Sequence, residues 1–379
     1  MKIIIATPLY PPENGGPAVY TVEIAERLKN AHSITVVAYA DAAVPVPGVH
    51  LVTISKRQTL PKRLLKFSLA LWRETKHADV IYVQNPVASG LPAMLIGKLR
   101  RIPVVLKLIG DEAWERATQR GETTKMLEPF LEAPEGSFYI RALMWLQGVV
   151  LRNVLCVTTP SDYLGKAVAR AYGIVPECTR VNYNAAEDKR AQSEGIVPHQ
   201  ILATPRLVRW KGVDGIIRAL KIVVQQFPDA RLCIAGDGPE LESLQMLAQE
   251  LGVGGKVLFV GRVPHSEVLR LYRTSEVFVL NSTYEGLPHA VLDGFVTGTP
   301  VIATAISGTN EAVYDGKTGL LVPPNNPEAL AQAIARLFSD KALADTLIEG
   351  GREILHKKFS WDSHLKVLLN IFESIISKD

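Results

Sequence analysis

At 379 residues, with 47% hydrophobic and 21% charged residues, the chain is too long for one hydrophobic core and too apolar for disorder, so two globular α/β domains are expected. Three widely spaced cysteines, Cys156, Cys178 and Cys233, argue against a disulfide scaffold, and no Cys/His cluster has zinc spacing; buried thiols in a reducing cytoplasm fit instead. The net charge of +4 is uneven, with 24 Lys and Arg against 17 Asp and Glu in residues 1 to 190 and 18 against 21 in the remainder.

The strand-like run Lys2 to Ala6 comes first, and its apolar part, Ile3 to Ala6, is cut off by Pro8, Pro11 and Pro12, too soon for the apolar region of a signal peptide. Gly15 and Gly16 then lead into a helix expected from about Ala18. Paired glycines let backbone approach a ligand, and a helix N-terminus offers N–H groups to phosphate, although such a pair is also an ordinary turn. Strand-like runs follow at Ile34 to Tyr39 and His50 to Ile54. Between Lys56 and Lys76, seven basic residues interleave with Leu64, Leu65, Phe67, Leu69, Leu71 and Trp72. That mixture suits a helix resting on an anionic membrane surface, and equally an amphipathic helix with a solvated basic face.

Further runs at Val80 to Val83, Val104 to Leu108 and Val154 to Thr158 alternate with helical stretches, the signature of a parallel sheet. Asp111 follows one of them, placed either to act at a ligand or to cap a helix before Ala113 and Trp114. Ala142 to Leu151 is about half the length of a membrane-spanning helix and contains Gln147, so no transmembrane segment is expected. Asn184 to His199 is polar and ends in Gly195 and Pro198, as expected of a linker. A second series of strand-like runs begins at Gln200 to Ala203. It continues through Arg231 to Ala235, Val257 to Val260, Val277 to Leu280 and Val301 to Ala303. After Pro327 the chain reads as helix, and Trp361, Leu365, Leu368, Leu369 and Phe372 recur at helical spacing.

Ligands of open parallel sheets bind at the carboxyl ends of strands, so the residues after each run come first. Arg206 and Lys211 follow the first strand of the second series, where a guanidinium and an ammonium can converge on a diphosphate; on their own, two surface cations near a turn carry no function. Gly236 and Gly238, after the next strand and before a helix, suggest a tight turn close to a ligand. A dinucleotide fingerprint requires a third glycine where Leu241 stands, and a P-loop ending at Gly316-Lys317-Thr318 requires a glycine where Glu311 stands, so both fail. In the segment Asn281 to Asp293, Glu285 sits in the loop and Pro288 opens a helix. Asp293, one and a half turns further, can reach a ribose diol, and the backbone around Gly286, Leu287 and Pro288 can meet phosphate.

The run from Ile201 to Pro323 resembles the retaining glycosyltransferases of family 4. The matching pieces are Arg206-Leu207-Val208 with Lys211-Gly212-Val213-Asp214, Gly236-Asp237-Gly238-Pro239, Gly261-Arg262-Val263 and Glu285-Gly286-Leu287-Pro288. Gly298 to Thr304, Glu311 and Asp315 to Val322 complete it. The likeness extends more weakly to Gly15-Gly16, Pro160-Ser161-Asp162-Tyr163 and Asn184. It implies the GT-B fold: two Rossmann-like doubly wound α/β domains facing a cleft, with the C-terminal helix crossing back to the N-terminal domain. The expected domains are 1–190 for the acceptor, 198–358 for the nucleotide-sugar donor, and 359–379 as the returning helix.

By the same resemblance Arg206 and Lys211 bind diphosphate, Glu285 contacts the transferred sugar, Asp293 the ribose, and Gly261, Arg262 and Val263 lie near the base. Two departures stand out. The family's Glu-x7-Glu is Glu285-x7-Asp293 here, one methylene shorter. The family's N-domain histidine is replaced by Gly110, with Asp111 beside it as the substitute catalytic or sugar-orienting group. The expected activity is retaining, metal-independent transfer from a nucleotide-diphosphate sugar to a glycan, lipid-linked or small-molecule hydroxyl. No cofactor and no nucleic-acid partner are expected. The expected location is the cytoplasm, peripheral on the inner membrane face. A nucleotide-sugar epimerase and a non-catalytic sugar-binding protein are the alternatives.

Overall fold

The computed structural model describes residues 1–13, 15–187 and 195–377. The expected boundary at residue 190 and residues 188–194 of the linker lie outside them. By contact density the chain divides into Met1–Asn182 with Val367–Asp379 as unit 1, and Tyr183–Lys366 as unit 2.

Unit 1 alternates strands and helices as β1 (Lys2–Thr7), α1 (Gly16–Leu28), β2 (Ser33–Tyr39), β3 (His50–Ile54), α2 (Leu60–Glu74), β4 (Val80–Gln84) and α3 (Gly90–Arg100). It continues with β5 (Val104–Lys107), α4 (Glu112–Gln119), α5 (Leu127–Glu132), α6 (Phe138–Asn153), β6 (Cys156–Thr159), α7 (Asp162–Tyr172) and β7 (Thr179–Val181). The strands form one parallel sheet in the order β3-β2-β1-β4-β5-β6-β7. Ile3, Ile4, Ile5 and Ala6 are all buried because helices cover both faces, which is why the strand reads as an unbroken apolar run. The chain steps one way from β1 to β3 and the other way from β4 to β7. Right-handed crossovers therefore put α1 on one face and α2, α3, α6 and α7 on the other. Their mutual packing agrees: α2 lies against α3, α3 against α6, and α6 against α7.

Unit 2 repeats the plan with β8 (Val197–Ala203), α8 (Val213–Gln226), β9 (Arg231–Ile234), α9 (Leu241–Glu250), β10 (Val257–Phe259), α10 (His265–Thr274) and β11 (Ser275–Leu280). Then come α11 (His289–Thr297), β12 (Val301–Thr304), β13 (Leu320–Val322), α12 (Pro327–Ser339), α13 (Lys341–Lys358) and α14 (Trp361–Ile376). The parallel order is β10-β9-β8-β11-β12-β13. Alternate residues feed two cores: Ile201, Leu232, Ile234, Val277 and Val279 enter one, and Leu202, Cys233, Phe278 and Leu280 the other. The two short edge strands, β7 and β13, were not among the expected strands.

The helix expected from about Ala18 begins two residues earlier, at Gly16. The three cysteines are free; burial pushes the Cys156 thiol up to about 12 and the Cys233 thiol up to about 11. Among the described residues no helix is long and apolar enough to cross a membrane. Helix α14 begins in unit 2 and, from Val367, belongs to unit 1, where the buried Phe372 ring meets Tyr82 edge-on with centroids 5.5 Å apart.

Candidate functional site

In unit 2 the strand order reverses between β8 and β11, and the loops leaving these two neighbours flank the resulting crevice at the sheet's carboxyl edge. The loop after β8 carries Arg206, exposed, and ends in a short turn, Arg209–Lys211, closed by Gly212 at φ 59°. A side chain there would be strained, and its Cβ would stand 2.3 Å from the Asn281 carbonyl oxygen. The two loops are joined: the Asn281 amide donates to the Gly212 carbonyl at 2.7 Å, and the Thr283 N–H to the Trp210 carbonyl at 2.8 Å.

This join brings the Lys211 ammonium 2.5 Å from Oε1 of Glu285, which also accepts from the Ser282 hydroxyl at 2.6 Å. The Glu285 side chain is 11% exposed and that of Lys211 21%, so the pair is shielded from water yet open at one side. The Thr304 hydroxyl donates to the Ser282 carbonyl, and the Gly308 N–H to the Glu285 carbonyl, fixing the loop from the β12 side. Such an arrangement holds a cation and an acceptor carboxylate side by side with little left to reorganise.

The glycines after β9 let two loops pack closely. A Cβ on Gly236 would lie 1.8 Å from the Pro205 carbonyl oxygen and one on Gly238 2.3 Å from that of Leu207, so their absence lets the β9 loop lie against the Arg206 loop. The Leu207 N–H donates to the Asp237 carbonyl at 2.9 Å across the same contact.

Pro288 caps α11 from outside the helix, Leu287 is buried, and Gly286 is half-buried. Asp293 lies on α11 with His265 Nε2 3.9 Å from its carboxylate. Burial pushes this carboxyl up to about 6, while His265 pulls it back. His265 opens α10 just after Gly261, Arg262 and Val263, so the segment expected near a base and the residue expected at a ribose belong to one corner of unit 2.

In unit 1, Gly15 and Gly16 stand at the start of α1, and a Cβ on Gly16 would meet nothing within 4 Å, leaving that backbone open to approach. Asp111, expected either at the sugar or as a helix cap, is 0% exposed and takes the cap position. One oxygen caps α4 through the Trp114 N–H at 2.8 Å; the other accepts from Gln147 Nε2 and the Tyr172 hydroxyl, both at 2.6 Å. Burial raises its carboxyl, opposed by these donors. Asn281, Ser282 and His265 were missed in the sequence. The first two follow β11 directly, the position where a ligand-facing residue is expected, and could have been found by that signal.

Two doubly wound sheets, one with an ion pair and a hydroxyl gathered at its switch point, define a two-domain α/β protein of the nucleotide-binding kind. Residues 15–185 match the family described as Glycosyl transferase 4-like domain, and residues 186–354 the one described as Glycosyl transferases group 1. Each half of the chain thus matches a glycosyltransferase family, and the fold is GT-B. An uncharacterised glycosyltransferase of Methanocaldococcus jannaschii is 25% identical over 98% of each chain. A lipopolysaccharide core biosynthesis glycosyltransferase of Rhizobium meliloti is 32% identical over 59% of this chain and 65% of its own. Among solved structures, an Anabaena protein in complex with UDP superposes over the whole of both chains with a TM-score of 0.77 at 19% identity.

Proposed function

We propose that this glycosyltransferase transfers a sugar from a nucleoside-diphosphate sugar to a hydroxyl of a glycan or lipid-linked acceptor, with retention and without a metal. The observation that carries the reading is the cluster of Lys211, Glu285 and Ser282 at the switch point of the second sheet. In this reading Lys211 and Arg206 supply the positive charge that meets the diphosphate as it leaves, a role otherwise filled by a cation. Glu285 accepts a hydroxyl of the transferred sugar. The anomeric C–O bond to phosphate breaks, the acceptor oxygen forms its bond on the same face, and the departing phosphate takes the acceptor proton. UDP in the Anabaena neighbour and the lipopolysaccharide-core relative support a nucleotide-sugar donor and a glycan or lipid-linked acceptor. The basic, apolar stretch from Lys56 to Lys76 supports a cytoplasmic enzyme working at the inner face of an anionic membrane.

Incubation with UDP-, GDP- and ADP-sugars tests the reaction. Nucleotide release that requires an acceptor and survives EDTA is expected. Isomerised donor without an acceptor would make the chain an epimerase, and activity restored only by magnesium or manganese would overturn the metal-free mechanism.

The raised Asp293 carboxyl gives this reading a pH signature. Burial favours the acid, so the residue costs folded-state stability above about pH 6 and costs none below the ordinary carboxylate range. A ribose diol is gripped by the carboxylate with both oxygens accepting. Affinity for the nucleoside is therefore expected to fall below pH 6, approaching tenfold per unit, and Asp293→Asn to flatten that dependence. Calorimetric titration of wild type and variant between pH 5 and 8 checks it; parallel curves would remove Asp293 from the ribose.

A further inference from the structure

The sequence attaches the membrane contact to residues 56–76; the structure sets that stretch in a wider surface. Helices α2, α3 and α6 are consecutive neighbours on one face of the unit 1 sheet. On α2, Leu65, Leu69 and Trp72 recur at i, i+4 and i+7 and are all exposed. On α3, Leu95 and Leu99 are exposed one turn apart, Leu99 at 72%. On α6, Phe138 is 87% exposed and Trp145 66%, with the exposed Arg141 between them on the same stripe. Apolar side chains this large are normally covered when gathered over adjacent helices.

The charge on the same helices is one-sided. Together they hold eight Lys and Arg and a single acid, Glu74 at the last position of α2. Helix α1, on the opposite face of the sheet, carries Glu23 and Glu26. The Arg100 guanidinium lies 3.9 Å from the centre of the Trp72 ring, and Lys98 donates to Asn153, so cations bridge the helices they border. At interaxial spacings of 8–10 Å the three stripes span on the order of 20 Å.

We propose that this three-helix face seats unit 1 on an anionic lipid bilayer, with Phe138, Trp145, Leu99 and the α2 stripe entering the headgroup boundary and the cations meeting lipid phosphates. The proposal rests on the membrane part of the function proposed above and enlarges its contact from one helix to three. Charge and apolarity decide the occupant. A second copy would set a basic face against a basic face, which disfavours self-association. An acidic polymer would match the charge but leave the exposed aromatic rings in water. A bilayer interface accepts both: aromatic and leucine side chains at the acyl boundary, and Lys and Arg stems reaching out to the headgroups.

Cosedimentation of the full chain with phosphatidylcholine vesicles, with and without phosphatidylglycerol, tests this. Binding is expected only with the anionic lipid and is expected to fade with salt. The triple variant Lys62→Gln, Lys66→Gln, Arg141→Gln is expected to weaken partition on the order of 100-fold at about 1 kcal/mol per charge. Phe138→Ser with Trp145→Ser is expected to weaken it at least about tenfold. These residues are exposed, so the melting temperature and its rise with UDP should be unchanged, which reads the unit 2 site separately from the membrane face. Equal sedimentation of wild type and variants, equal binding to neutral vesicles, or no binding by wild type would overturn the proposal. So would a lipid-free dimer that dissociates in the Phe138→Ser, Trp145→Ser variant, which would make the face a protein interface.

Discussion

Lys211→Ala is expected to lower turnover by about 2–4 kcal/mol in barrier, roughly 30-fold to 900-fold, comparable to losing one preorganised charge-stabilising donor. The size follows from where the ammonium sits. It is held 2.5 Å from Glu285 by a loop joined to its neighbour through Asn281 and Thr283, so no reorganisation is left for the moment when charge develops on the leaving diphosphate. Arg206→Ala is expected to act in the same range, since its guanidinium stands exposed on the same loop. Removing Lys211 also leaves the Glu285 carboxylate with the Ser282 hydroxyl as its remaining partner. Glu285→Gln combined with Lys211→Ala separates the two effects, because a neutral amide has no need of the cation. The measurement is kcat at saturating donor beside the melting temperature. Rates near wild type in both single variants, with folding intact, would remove the diphosphate assignment.

The second large effect is on stability. Asp111→Ala is expected to destabilise unit 1 by roughly 2–4 kcal/mol, because it removes the cap of α4 at the Trp114 N–H and the buried acceptor of the Tyr172 hydroxyl, and leaves the Gln147 amide with Tyr172 in place of two partners. For a unit of this size the melting temperature should fall on the order of 10 °C. Asp111→Asn is a finer probe. Its oxygen can still cap α4, but its amide would point N–H groups at Gln147 and Tyr172, which already donate there. About 1–3 kcal/mol of stability should go, while turnover per folded molecule stays unchanged. A tenfold slower Asn variant at unchanged melting temperature would instead return Asp111 to the reaction.

The strands were legible wherever both faces are covered, because Ile3 to Ala6 or Val277 to Leu280 then read as unbroken apolar runs. Strand β7, Thr179–Val181, escaped because it is three residues long, at the sheet edge, with Arg180 exposed. The loops of unit 2 were legible through their glycines, prolines and charges following strands. Their internal connections were not, since the Asn281 bond to Gly212 joins residues 69 positions apart. Asp111 shows the same limit from the other side. Its partners lie 36 and 61 positions downstream, and Gln147 was visible only as a polar interruption in an apolar helix. That interruption, read as an argument against a membrane span, is a buried amide serving the cap of another helix.

The division of α14 between the units sets an order on synthesis. Unit 1 contains Met1–Asn182, made before unit 2, and also the helical turns from Val367 onward, made after it. Phe372, Ile371 and Ile375 are buried there, so until they have been synthesised, the surface they cover, Tyr82 included, has no lid. Chains grow at about 5–20 residues per second. The unit that starts first therefore waits roughly ten seconds or more for its closing piece, while unit 2 is synthesised in between. A nascent chain stalled before α14 would hold an unfinished first unit beside a second whose sheet is already complete.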